Sequence, residues 1–326
     1  MTSEIDLMIV IINYKTPKMT CDCLASLLPE ISGKNIHAVV VDNDSRDDSA
    51  KQIQSWIVKN NAEQIQLISS ELNGGFAFGN NLGISYKNAS YYLLLNSDTV
   101  VRKGAIEILL ETIKANKSVG IVSPRLEWLD GKPQQSCFIM HTPVSEFLFA
   151  AKTGFLSKLL KKYVVAKPLE NTINYSDWTS FACVLIRHEV FEQVGLLDDG
   201  FFMYFEDAEF CHRVRKVGWK ILNNPDAHVV HLRGGSSPLK EQTRLRKRLP
   251  LYYFESRSRY FYQIYGHSGL FLANMLWTSG AVISRVRSLV FSNYTPDISE
   301  KQWQDIWTNF FKPLKKYTHP NDYKKA

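Results

Sequence analysis

The chain has 326 residues, 45% of them hydrophobic and 22% charged, with a formal net charge of +7. That balance excludes a disordered chain, and the length suits one large α/β domain or one domain with a helical part appended. The five cysteines (Cys21, Cys23, Cys137, Cys183 and Cys211) form no paired CxxC that would hold zinc, and they read as reduced, mostly buried thiols of a cytosolic protein.

In chain order, the apolar run at 7–12 is too short for a signal peptide, follows acids and lacks a cleavage site, so the protein is expected to start near Met1 and stay inside the cell. Its β-branched content predicts a buried strand. A helix at 20–28 stopped near Pro29, a strand at 38–41, a helix at 48–58, a strand at 65–69, a helix at 79–86 and a strand at 91–95 follow. Such alternation implies a mostly parallel sheet with helices on both faces. Ligands of these sheets sit at the carboxyl ends of the strands, where Asn13, Asp42 and Asp98 fall. Residues 120–177 are less regular, with Pro124, Pro133 and Pro143. Within them the basic, amphipathic stretch 152–162 either docks on the body or touches a bilayer. A strand at 182–186 and helices at 187–194 and 208–217 complete the pattern, which contains no internal repeat.

From 240 to 259, Lys240, Arg244, Arg246, Lys247, Arg248, Arg257 and Arg259 outnumber Glu241 and Glu255, which predicts a basic surface facing phosphate-rich material. Residues 260–284 carry no formal charge and are rich in aromatic and aliphatic side chains. They form either a buried helix pair or an interfacial membrane contact, with the basic group ahead of them placed for anionic headgroups. No run reaches the roughly 18 apolar residues that a membrane-spanning helix needs. The lysine-rich tail from Lys312 reads as a frayed basic end.

Several segments carry chemistry. Asp42-Asn43-Asp44-Ser45 follows a strand directly, so its first carboxylate could accept the imino N–H of a uracil or thymine; the same residues also suit an ordinary turn. The glycine-rich turn from Asn73 through Gly75 to Asn80 opens a helix whose free N–H groups suit phosphate or sugar hydroxyls, although it is neither a dinucleotide fingerprint nor a P-loop. Asn96-Ser97-Asp98 ends an apolar strand, where a carboxylate needs a partner charge such as a divalent cation. His228 and His231 flank a short strand-like stretch, and an imidazole there would suit manganese better than calcium. Finally, Glu206, Asp207 and Glu209 sit among aromatics at a helix start, which favours acids through its dipole and offers a base to take a proton.

Taken together and in order, Val10-Ile11-Ile12-Asn13-Tyr14, Val40-Val41-Asp42-Asn43-Asp44-Ser45, Asn73-Gly74-Gly75-Phe76 with Gly79-Asn80-Asn81, Leu95-Asn96-Ser97-Asp98, Phe205-Glu206-Asp207 and His231 resemble the family 2 inverting glycosyltransferases, nearest their rhamnosyltransferase-like branch. The resemblance implies a GT-A-type nucleotide-binding domain at 1–236 and a basic, mainly helical extension at 237–326. It places Asn13 and Tyr14 by the base and Asp42 on the pyrimidine, with Asn43, Ser45, Gly75, Asn80, Asn96 and Ser97 along the nucleotide sugar. Asp98 becomes the surviving acid of an Asp-x-Asp motif whose first position is Asn96, and with His231 it would hold Mn2+ or Mg2+. Asp207 becomes the general base with Glu206 beside it. Trp178 and Phe181 lie on the acceptor side, Phe181 where relatives usually have glycine. The implied donor is dTDP-rhamnose or a UDP-hexose, and the implied acceptor is a hydroxyl of a growing, lipid-linked bacterial surface glycan at the inner face of the membrane. A nucleotidyltransferase or a non-catalytic nucleotide-sugar binder would share the sheet. A nucleic-acid partner is excluded because the basic residues follow no recognised motif, and the oligomeric state stays open.

Overall fold

A computed structural model describes residues 5–233 and 239–325, the side chains of Lys240, Lys324 and Lys325 excepted. Its first half runs β1 (Ile5–Asn13), α1 (Pro17–Ile31), β2 (Ile36–Asp42), α2 (Ser49–Lys59), β3 (Ile65–Ser69), α3 (Gly75–Ile84), β4 (Ala89–Asn96), β5 (Thr99–Val101), α4 (Ala105–Ala115) and β6 (Val119–Glu127). Then come β7 (Cys137–Phe138), α5 (Pro143–Ala151), α6 (Gly154–Leu159), β8 (Asn174–Ser176), β9 (Trp178–Thr179), β10 (Cys183–Arg187), α7 (His188–Val194), α8 (Glu206–Lys216) and β11 (Lys220–His231). The chain closes with α9 (Leu239–Arg244), α10 (Leu251–Val290) and α11 (Gln302–Asp305).

One compact unit comprises residues 5–138, 167–199 and 210–233. Its nine-stranded sheet has the order β3-β2-β1-β4-β10-β6-β11-β5, with β8 on β11. The run β3-β2-β1-β4 is parallel, while β10 enters antiparallel to both β4 and β6. Apolar side chains of β1, β2, β4 and β10 are fully buried beneath α1 and α4, each large one contributing about 1.5–3 kcal/mol. Helix α3 approaches β1 so closely that a Cβ on Gly83 would stand 2.2 Å from a Val10 methyl, which is why glycine is required there. None of the five cysteines forms a disulfide, and burial pushes the Cys23 thiol up to about 12.

Three elements differ from the expectation. Helix α1 continues through Pro29 to Ile31, because a proline in the last turn forfeits only one hydrogen bond and Ser32 closes the end on the Leu28 carbonyl. Helix α3 starts at Gly75 rather than 79, since the Asn73 side chain accepts from the Gly75 N–H and so begins the helix inside the glycine turn. The stretch read as irregular from 120 contains most of β6, a central strand; Pro124 pairs with β11 at an irregularity between Asn224 and His228, where Pro225 also lies.

The second unit comprises residues 139–166, 200–209 and 239–325 among those described. Its main element, α10, is interrupted at Gly266, whose φ of 69° breaks the helical path. The part before the interruption buries Tyr252, Phe254, Tyr260 and Phe261; the part after it buries Leu270, Ala273, Trp277 and Ala281 along one face. Helix α5 packs on that face, and a Cβ on Gly280 would stand 2.4 Å from the Phe147 carbonyl oxygen. The basic surface expected at 240–259 is thereby corrected. Arg257 is buried, donating to Glu146 at 2.8 Å; Arg248 pairs with Asp305 at 2.8 Å; and Arg259 donates to the Leu314 carbonyl. These guanidiniums tie the unit's segments together, and only Arg244, Arg246 and Lys247 of the group stand exposed without an ion pair among the described residues. The boundary between catalytic domain and extension placed at 236/237 lies outside the described residues. Among the described residues no helix is long and apolar enough to cross a membrane.

Candidate functional site

In the sheet, three strands end level. Asn13 stands opposite Asp42, and Ile12 opposite Asn96, so the tips of β1, β2 and β4 share one edge. At that edge the Asn13 amide donates to Asp42 Oδ1 at 2.6 Å and to Ser45 Oγ at 3.2 Å, and the Ser45 hydroxyl donates to the same carboxylate oxygen at 2.6 Å. Asp42 Oδ2 accepts only the Ser45 N–H, at 3.3 Å, and so keeps acceptor capacity for a ligand. Asn13 Oδ1 accepts from Thr20 at 2.9 Å and from the Thr16 N–H, which fixes the start of α1. Asn13 is therefore fully buried and committed within the protein. Tyr14, next along, is half-exposed, its ring 5.3 Å from the Lys15 ammonium.

Asn43 reaches sideways to the glycine turn, donating to Asn73 Oδ1 at 3.0 Å and to the Gly75 carbonyl at 3.1 Å. Gly75 holds φ at 85°, a left-handed conformation that favours glycine. Asn43 Oδ1 is buried without a hydrogen-bond partner. Asn80 is buried as well, its amide folded back on the Phe76 carbonyl at 3.0 Å. The neighbouring Asn81, part of the same motif but given no role from the sequence, grips both backbone groups of Leu197 at 2.8 and 3.1 Å.

Beyond β4, the Asn96 carbonyl accepts from Thr99 Oγ1 at 2.7 Å, and the Ser97 hydroxyl lies 3.5 Å from that of Thr16. Asp98 is buried, with Oδ1 3.4 Å from His231 Nε2. The pairing of Thr99 with His231 between β5 and β11, and the Leu232 N–H donated to the Asp98 carbonyl at 2.9 Å, bring these distant residues together. His228, three residues away on the strand and so on its other face, turns instead to Glu127 at 2.8 Å. Burial alone would raise the Glu127 carboxyl, but hydrogen bonds from His228 and Arg102 outweigh it and hold it below the usual range.

Sequence reasoning missed Gln134 and Arg233. Buried Gln134 donates to the carbonyls of Glu127 and His231 at 2.9 and 2.7 Å, and its oxygen accepts from Arg233. Arg233 takes a φ of 54°, its guanidinium 5.3 Å from the Trp128 ring. Burial lowers its affinity for the proton and the charge of Asp98 raises it, so a cation shares the field of that carboxylate. No spacing in the sequence flags either residue.

Among the described residues, no three His, Cys, Asp or Glu side chains converge in the manner of a complete protein cage for a metal. Asp98 and His231 do suit a shared partial set. Adjacent donors on an octahedral cation with bonds of about 2.1 Å stand about 3 Å apart, close to the 3.4 Å found.

In the second unit, Glu206 and Asp207 open α8 after two non-glycine residues in left-handed conformation, Tyr204 (φ 73°) and Phe205 (φ 69°). Such backbone costs about 1–3 kcal/mol per residue and persists where surroundings enforce it. Here the Phe205 ring is held among His141, Tyr253 and Tyr260 at 5.2–5.6 Å. Glu206 is buried with Oε2 unpartnered; burial, and after it the charge of Asp207, holds its carboxyl well above the usual range. Asp207 is half-buried and accepts the Ala208 N–H at 2.8 Å. Of the two carboxyls, that of Asp207 is the more exposed. Trp178 and Phe181 are both buried in the first unit, Trp178 stacked on Phe138 at 4.1 Å and Phe181 edge-on to Phe210.

Residues 8–149 match the model of the glycosyl transferase family 2. Over 259 residues the chain is 31% identical to the low-salt glycan biosynthesis hexosyltransferase Agl10 of Haloferax volcanii, covering 78% of this chain and 74% of that one. It is 26% identical over 207 residues to the N-acetylglucosaminyl-diphospho-decaprenol L-rhamnosyltransferase of Mycobacterium tuberculosis, covering 62% of this chain and 64% of that one. Among solved structures, the mannosyltransferase PcManGT from Pyrobaculum calidifontis in complex with GDP-Man and Mn2+ superposes with a TM-score of 0.55 at 12% identity, over 100% of this chain and 89% of that one. GalNAc-T7 with UDP, GalNAc and Mn2+ gives 0.55 at 14%, over 95% and 55%. At these identities the likeness is one of fold, the GT-A type.

Proposed function

This chain belongs to glycosyl transferase family 2, and we propose that within it the protein is an inverting, metal-assisted enzyme that moves rhamnose from a dTDP- or UDP-sugar to a hydroxyl of a growing, lipid-linked surface glycan. Transfer of a sugar in glycan biosynthesis follows from the family. Rhamnose is favoured over other hexoses by relatives that carry rhamnosyltransferase names, and a lipid-linked acceptor by the decaprenol-linked substrate in one of those names.

Asp42, oriented by Asn13 and Ser45, would accept the imino N–H of the pyrimidine through its free lone pairs. The turn at Asn43, Asn73 and Gly75 would frame the nucleoside, with Tyr14, Asn80, Asn96 and Ser97 as its surroundings. Asp98 and His231 would hold Mn2+ or Mg2+, which when bound offsets the negative charge of the leaving diphosphate. Asp207 would remove the acceptor hydroxyl proton as that oxygen attacks the anomeric carbon from the side opposite the diphosphate, so a single displacement inverts the configuration. Glu206, whose ionisation burial opposes, would spare Asp207 a second negative charge. Trp178 and Phe181 would act on the acceptor side by packing the wall rather than by direct contact. We further propose residues 1–236 as the catalytic domain and the rest as its extension.

The observation that carries this proposal is the meeting of Asp98 and His231, 133 positions apart in the sequence and 3.4 Å apart in space, beside the strand edge that holds Asp42. A thermal-shift panel tests it. Selective stabilisation by dTDP- or UDP-sugars, strengthened by Mn2+, is expected. Stabilisation by nucleoside triphosphates with no response to diphosphosugars would instead support a nucleotidyltransferase.

A further inference from the structure

We infer that the second half of α10, with α6 and the loop 311–316, forms a face that lies on an anionic lipid surface. After Gly266 the helix buries one side within its own unit, as described. The opposite side is also apolar: Leu272, Met275, Val282, Val286 and Leu289 are exposed at intervals of three, four and seven, so they form one stripe, and Leu289 is 86% exposed. A helix apolar on both sides needs a second apolar neighbour, and among the described residues none covers this stripe.

The stripe continues at both ends. At its start, Phe271 lies 6.2 Å from the Trp307 ring and 6.4 Å from that of Phe310, and next to them Phe311 is 88% exposed. At its end, Arg287 donates to the carbonyls of Ala151 and Lys152, just ahead of α6, where Phe155 is 77% exposed and Leu159 is exposed too. Each of these flanking aromatics is set among exposed cations: Lys158, Lys161 and Lys162 beside Phe155, and Lys312, Lys315 and Lys316 beside Phe311. No acid lies in 154–166 or 310–319.

That chemistry selects the occupant. Apolar side chains bordered by lysines match the boundary between acyl chains and anionic headgroups, where each lysine strengthens partitioning about fivefold. A second copy of this chain docking by the same face would bring the lysine clusters of two subunits together. The expected membrane contact thus gains the lysines of α6 and of the loop, while Arg248 of the expected basic group is paired with Asp305. Among the described residues no helix is long and apolar enough to cross a membrane, so the contact is a lateral one.

The lipid face deepens the lipid-linked acceptor in the proposed function, and its test is separate from that of transfer. The full chain is floated with zwitterionic vesicles and with vesicles containing anionic phospholipid, at low salt and at about 0.5 M salt. Co-flotation with the anionic vesicles at low salt, weakened by salt, is expected. The doubly substituted V282E/V286E protein, whose exposed positions leave the fold intact by thermal denaturation, is expected to float at least about tenfold less while transferring sugar to a short water-soluble acceptor at the unsubstituted rate. Replacing Lys158, Lys161 and Lys162 by glutamine is expected to abolish the preference for anionic vesicles. Absence of co-flotation at low salt, unchanged flotation of V282E/V286E, or a dimer in sedimentation that V282E/V286E dissociates without any vesicle binding would overturn the inference.

Discussion

The strand-edge network around Asp42 and the helix start at Glu206 and Asp207 differ in how they hold a carboxylate. At the first, Asn13, Ser45, Thr20 and Thr16 close a ring of hydrogen bonds around the Asp42 carboxylate that also ties α1 to β1 and β2; left-handed backbone occurs here as well, at Lys15 and Asp44, but the buried atom left unpartnered, Asn43 Oδ1, belongs to a neutral amide. At the second, a buried carboxyl oxygen lacks a partner, two aromatic residues hold strained backbone, and two adjacent acids compete for charge. The difference matches the proposed division between recognition and chemistry. A surface that binds can be finished before its ligand arrives, whereas a carboxylate proposed to take a proton sits beside a buried acid whose own ionisation is opposed by burial.

Substitutions sharpen this contrast. The largest effect is expected for Asp207→Asn, which keeps shape but cannot accept a proton: transfer should fall by about 10³-fold with donor affinity nearly unchanged, as read by turnover and calorimetric titration. An equal loss in both would place Asp207 with the binding residues and erase the distinction. Asp98→Ala should weaken diphosphosugar binding about tenfold or more in Mn2+ while leaving the bare nucleoside alone. Equal donor affinity in EDTA and in metal would remove the cation from that role.

Asp42→Ala should act on folding itself. It strands the donors of Asn13 and Ser45, costing about 1–3 kcal/mol in urea denaturation, whereas Asp207→Asn should stay within about 0.5 kcal/mol of the unsubstituted protein. The smallest effect is a pH slope. Because the Glu206 carboxyl sits higher in the folded than in the unfolded chain, the folded state holds the extra proton above pH 4.5. Stability should therefore fall as pH rises through that window, by about 1.4 kcal/mol per pH unit, until the folded group ionises. Glu206→Gln should flatten the slope; a slope that survives the substitution would show that another group carries it.

How much of this was legible in the sequence depended on whether a residue's neighbours in sequence were also its neighbours in space. Asn13, Asp42 and Asp98 stood out because each follows a continuous β-branched or aliphatic run, and parallel pairing then aligns the ends. The glycine turn was visible, but its first helical residue was not, since Asn73 starts α3 through its side chain. Strands β6 and β11 were largely hidden by Pro124 and Pro225, which a strand tolerates only where pairing is already irregular. Gln134 and Arg233 acquire meaning only once β5 and β11 are paired. The charge count at 240–259 misled because a guanidinium buried against a carboxylate and one in solvent are written alike.

The strained pair Tyr204 and Phe205 is held in place from other segments. Rings from α10 and from the segment ahead of α5 hold the backbone that launches α8, so the orientation of Asp207 is inherited from chain far outside the segment that carries it. A C-terminal segment lacking the equivalents of Tyr253 and Tyr260 is expected to let this turn relax, so exchanging that segment for a foreign one should disturb Asp207 as well.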